Sequence, residues 1–209
     1  MLSSTLEIIG QFLLHKTNVL STVSLEELMK AERNYHEILR SYWHEKNFLT
    51  ARWWFLVILS IVPALIWWMV VDKKKVIENT AFGLFYGVSA IFLDSIGSNA
   101  MVWTYPVRLT PYINPQLYPY DVGVVIIPFM LVYQRYSSSL KKFIIATGIL
   151  SLFLAFVAEP SMELLHIYKE LTWKHIYSFP IYWSLGLICR AIIKKFKSLE
   201  NKSKLPGSV

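Results

Sequence analysis

The 209-residue chain is 55% hydrophobic and 15% aromatic, with 17% charged residues and a net charge of +7. A soluble domain usually carries about 25% charged residues, so this chain is too apolar for one soluble core and the bilayer is its natural solvent. The positive balance does not point to nucleic acid, because the lysines and arginines cluster between apolar runs, where topology and anionic headgroups account for them.

The lone cysteine, Cys189, excludes an intramolecular disulfide and a Cys-rich metal site, and its apolar setting suits a packed thiol. The first stretch, "MLSSTLEIIGQFLLHK", has no basic start and carries Glu7, so no cleavable signal peptide is expected. Residues 1–51 read as an N-terminal amphipathic segment. In "SLEELMKAERNYHEILRSYW", Ser24 and Glu27 form a capping-box pattern. Leu25, Leu28, Met29, Tyr35, Leu39, Tyr42 and Trp43 then recur at helical spacing, which predicts a helix packed on the bundle or lying at the interface.

Residues 52–195 read as an all-α transmembrane bundle of about five spans. The first covers 52–71, near the roughly 20 residues that cross a hydrocarbon core. Tryptophan pairs lie near both of its ends and Pro63 lies inside it. Further spans are predicted near 77–102, 121–134, 143–166 and 177–194. Gly83 and Gly87 in the second allow close helix approach, and 196–209 reads as a basic, disordered tail.

Lysines 73–75, then Arg135, Lys141 and Lys142, then the residues from Arg190 onward make three basic segments. They alternate with the poorer links 103–120 and 167–176. That alternation predicts a cytoplasmic C-terminus and places both poor links outside; the side of the N-terminal helix stays open.

On this topology Asp94, Asp121, Glu159 and Glu163 all fall toward the outer ends of three helices, with Asn99 on the same stretch as Asp94. Carboxylates within a bilayer are costly and normally face a bundle interior or water, so an acid-lined polar pocket is expected in the outer leaflet half. Its candidate ligand-binding residues are Asp94, Asn99, Arg108, Asp121 and Glu159. Glu159, Glu163 and His166 share one helical stripe and form a candidate set for a divalent metal, although no second Glu-x-x-His is present to complete a di-metal bundle site. The links "WTYPVRLTPYINPQLYPYD" (103–121) and "WKHIYSFPIYW" (173–183), rich in proline and aromatic residues, read either as ordered caps or as interfacial belts. No nucleophile motif, phosphate loop or dinucleotide fingerprint is present, and no cofactor is indicated.

Through "WTYPVRLTP", "YPYD", "YQRY", "EPSMELL" and "WKHIYSFPIYW" the chain resembles an uncharacterised family of small polytopic membrane proteins from spore-forming Gram-positive bacteria. The likeness covers roughly residues 50–195. It implies a multi-pass protein of a bacterial cell membrane and carries no activity. A second likeness is to the small membrane subunits of heterodimeric bacterial lycopene cyclases, which place paired acids beside a proline. Here Glu159–Pro160 precedes Glu163, so the match fails at the acid pair.

Three functions follow as expectations. The pocket binds a small ligand, a cation or a lipid headgroup; or Glu159 serves a lipid or isoprenoid enzyme as general acid; or the acids are structural within a subunit. The expected partners are the lipid bilayer and a lipid or small-molecule ligand, without nucleic acid. An oligomer or partner subunit is left open.

Overall fold

The computed structural model describes residues 23–113 and 118–203. The rest of the N-terminal segment, residues 114–117 of the first link and the end of the tail lie outside the described residues. The chain divides into two units, 1–44 and 45–209.

Helix α1 (Leu25–Lys46) begins where the capping box predicts. The Ser24 N–H donates to Glu27 Oε2 at 2.8 Å, and the Glu27 N–H donates back to Ser24 Oγ at 3.1 Å. These bonds hold the exposed Glu27 carboxyl below its ordinary range.

The second unit is a helix bundle. Helix α2 (Ala51–Val70) is followed by a short 3₁₀ turn (Lys73–Lys75) and α3 (Val76–Asn99). Helix α4 spans 118–136 in three pieces: Tyr118–Tyr120, a π segment Asp121–Ile126, and Ile127–Tyr136. Helix α5 (Leu140–Leu164) also contains a π segment, Leu154–Ala158, and α6 runs His175–Ser203. Among the described residues, four helical stretches are long and apolar enough to cross a membrane: Ala51–Val70, Lys73–Asn99, Leu140–Leu164 and His175–Ser203. Outward side chains such as Ile58, Leu65, Leu84, Phe92, Ile149 and Ile188 are exposed, which suits a lipid-facing surface.

Two expectations change. The predicted span at 121–134 is not among the four apolar helices. It is instead the enclosed helix of the bundle, with Val125, Phe129 and Tyr133 buried; Phe129 stacks on Tyr86 and Tyr133 on Phe82. Residues 196–203, read as disordered tail, continue α6, because Lys194 and Lys197 reach Glu78 on α3 and tie its last turns to the bundle.

Helix α4 nevertheless traverses the bundle. At one end of the bundle Gln134 accepts from the Asp72 N–H and from Asn79 Nδ2 and donates to Val70 O, while Arg190 donates to Ser137 O. Toward the other end Gly123 of α4 packs against the Leu59 carbonyl and Pro63 of α2.

Helices α3 and α5 end alike. Val102 N–H reaches Gly97 O and Met101 N–H reaches Ser98 O; Ile167 N–H reaches Met162 O and His166 N–H reaches Glu163 O. Each is a Schellman cap whose turning residue, Met101 or His166, has positive φ. Strands β1 (Trp103–Thr104) and β2 (Lys169–Glu170) leave these caps and pair antiparallel, Trp103 opposite Glu170. The two links read as lying on one face are therefore joined at one end.

Candidate functional site

Both π segments precede a proline. Pro128 lacks the N–H that would bond Val124, and Pro160 the one that would bond Phe156, while each ring crowds that same carbonyl. The helix widens, so that Ile127 N–H bonds Val122 O and Glu159 N–H bonds Leu154 O, each five residues back. Asp121 opens the first widened turn and Glu159 follows the second. In α3, Asp94 is buried one turn before the C-terminus.

These three acids line one cavity of about 110 Å³. Its walls include Trp103, Tyr105, Tyr120, Tyr168, Trp173 and Tyr182, with Leu56, Leu93, Met162 and Leu185 among the aliphatic side chains. Among the described residues lining it there is no lysine, arginine or histidine. A volume of this size accommodates several waters or a small headgroup.

Asp94 Oδ1 accepts from Trp103 Nε1 and from the Tyr105 hydroxyl, both at 2.7 Å. Burial, reinforced by the Asp94 carboxylate, holds the Tyr105 phenol above its ordinary range, so it stays a proton donor. Asp94 Oδ2 and Asp121 Oδ2 are buried without a hydrogen-bond partner among the described residues. Buried acceptors left in this state cost about 1–3 kcal/mol each unless a ligand satisfies them.

Glu159 stands where the cavity meets a second cluster. Tyr182 OH donates to its Oε1 at 2.7 Å, and its Oε2 lies 3.1 Å from His175 Nδ1. His175 Nδ1 is also 2.8 Å from Glu170 Oε1, and His175 Nε2 is 3.5 Å from Glu163 Oε2. Burial pushes the Glu170 carboxyl above its ordinary range, with His175 pulling it back.

The links close over this end. Asn47, buried at 1% exposure, donates from Nδ2 to Pro106 O and accepts the Arg108 N–H at 2.6 Å. The N–H groups of Leu171, Thr172 and Trp173 converge on Val102 O. Trp103 meets Trp173 edge-on at 5.0 Å. The first link is thus an ordered cap over its described residues.

The structure brings together Asp94, Asp121 and Glu159 of the residues singled out from sequence. Asn99, on the last turn of α3, is exposed and outside the cavity lining. Arg108 also lies outside the lining, with its Nε donating to Tyr105 O. The set Glu159, Glu163 and His166 does not form. The helix stops at Leu164, and His166 is the left-handed residue of the Schellman cap, exposed and rotated off the stripe.

The histidine that meets Glu159 is His175, and the third acid is Glu170. Neither is among the candidates read from the sequence, where His175 falls within the link read as an ordered cap or an interfacial belt. The available signal was their place in the link on the same predicted face as Glu159. Comparison with protein-family models, with curated proteins and with solved structures finds no match.

Proposed function

We propose that this is a multi-pass protein of a bacterial cell membrane whose cavity, in the outer leaflet half, binds the cationic head of a small ligand or lipid. One observation carries the reading: carboxylates from three different helices line a single aromatic-walled cavity that has no lysine, arginine or histidine among its described lining residues. Buried carboxyl groups without partners are satisfied by a proton or by a countercharge, and a bound cation supplies the second. Aromatic faces attract an organic ammonium group, and the apolar wall accepts its hydrocarbon part. The unpartnered oxygens of Asp94 and Asp121 are the places where the ligand's positive group docks.

The enzyme alternative makes Glu159 a proton donor to an alkene. Both Glu159 oxygens are already engaged, one by Tyr182 OH and the other by the His175 ring nitrogen, which leaves neither directed at a substrate. Binding is therefore the favoured reading.

The test is native mass spectrometry of the full chain purified with its lipids, for wild type and for the Asp94→Asn, Asp121→Asn double variant. Wild type is expected to carry a species bearing a cationic group, and the variant to lose it. Equal ligand content in both removes this reading.

A further inference from the structure

We propose that Glu159, Glu170 and His175 form a binding site for a first-row divalent transition metal ion beside the cavity. The three residues offer ligand atoms within 4.8 Å of one another, and His175 Nδ1 lies closest to Glu159 Oε2 and Glu170 Oε1. This goes beyond the binding of a cationic ligand, because it rests on a different cluster and shares only Glu159 with the cavity.

The local chemistry asks for a cation. His175 Nδ1 faces Glu159 Oε2 at 3.1 Å and Glu170 Oε1 at 2.8 Å, and a single ring N–H cannot serve both. The Glu170 oxygen is buried and, despite its closeness, makes no bond of hydrogen-bonding geometry among the described residues. Two carboxylate oxygens and a ring nitrogen thus converge on a point that one proton leaves under-neutralised. The two nitrogen–oxygen separations, 3.1 and 2.8 Å, match edges of a coordination polyhedron with metal–ligand bonds of about 2.0–2.2 Å.

The surroundings match those of a metal-bound histidine. Ligating histidines commonly direct the second ring nitrogen at a carboxylate, which sets the tautomer and the ring orientation. Here His175 Nε2 faces Glu163 Oε2 at 3.5 Å. Tyr182 OH holds the other oxygen of Glu159, leaving Oε2 to the cluster.

The three ligands come from separate elements that the fold fixes independently. Glu159 follows the widened turn of α5, Glu170 is paired with Trp103 in the ribbon, and His175 opens α6. One nitrogen with two carboxylates suits Zn²⁺, Mn²⁺ or Fe²⁺ better than Ca²⁺ or Mg²⁺, which favour all-oxygen sets. Three protein ligands would leave coordination positions open for water or a ligand.

The experiment is Zn²⁺ titration by calorimetry of the full chain in detergent, stripped beforehand with a chelator, with Co²⁺ absorption as a second readout. One Zn²⁺ per chain is expected. His175→Gln and Glu170→Gln should each weaken it at least about 100-fold, and Glu163→Gln about 10- to 100-fold. Thermal unfolding of each metal-free variant reports whether it folds. Glu170→Gln and Glu163→Gln sit in the ribbon and at the helix end, so a folding failure of His175→Gln leaves them to decide. The Asp94→Asn, Asp121→Asn variant should bind Zn²⁺ like wild type, which separates this site from the cavity reading. No stoichiometric Zn²⁺ in wild type, or unchanged affinity in folded Glu170→Gln, overturns the proposal.

Discussion

Trp103 Nε1 donates to Asp94 Oδ1 at 2.7 Å, and the indole fills the space that Gly97 leaves by having no side chain. A Cβ at position 97 would fall 2.0 Å from a carbon of that ring. The residue that starts the ribbon is therefore locked to the acid beneath it by a glycine one turn away.

Gly97→Ala should displace the indole and cost about 1–3 kcal/mol, as overpacking does. Trp103→Phe keeps most of the ring but removes the donor, leaving Tyr105 on the same oxygen, so its cost should be nearer about 1 kcal/mol. Unfolding of the purified chain in detergent measures both. A Gly97→Ala protein as stable as wild type would show that the indole does not occupy this space.

A second close approach lies between α2 and α4. Pro63 has no N–H for Leu59 O, and that carbonyl sits 2.2 Å from where a Cβ on Gly123 would be. Because the obstacle is backbone, Gly123→Ala should lower stability by roughly 2 kcal/mol or more. Gly148→Ala provides the control. Its Cβ would meet Trp183 at an ordinary 3.5 Å, so the gain in helix propensity should leave stability equal or raised by up to about 1 kcal/mol. Similar behaviour of the two variants would contradict the helix contact.

Asn47 holds the first link through both ends of its amide, at Pro106 O and at the Arg108 N–H. Asn47→Ala should leave both backbone groups without this partner and cost about 1–3 kcal/mol. Hydrogen exchange should then quicken at residues 105–109 while the amides of α5 stay as in wild type. Uniform quickening along the chain would point to global destabilisation rather than release of the cap.

The proposed topology is tested with a cysteine at Tyr112, which is 78% exposed. The native Cys189 is 1% exposed and should stay silent. An impermeant thiol reagent applied to intact cells should label Tyr112→Cys, and a reporter fused after the C-terminus should read as cytoplasmic. Labelling that begins only after lysis would reverse the orientation.

Much of this architecture is written locally. Hydropathy alone marks α2, α3, α5 and α6, because each must present apolar side chains over a membrane's thickness. The capping box starts α1, since its bonds span three residues. The acids fall toward one end of their helices because helix direction alternates along the chain, and only local spacing is needed to see it. What tertiary structure decided is which of these groups meet. His166 lies three residues after Glu163 yet leaves the stripe, because a Schellman cap turns the backbone through positive φ at that residue. His175 reaches Glu159 instead, across the β2 link, because the β1–β2 ribbon folds that link back over the cavity. Helix α4 carries polar residues at both ends and yet crosses the bundle, since neighbouring helices, rather than its own apolar length, supply its surroundings. Periodicity reports which residues share a face; only the packing of separate elements reports which faces touch.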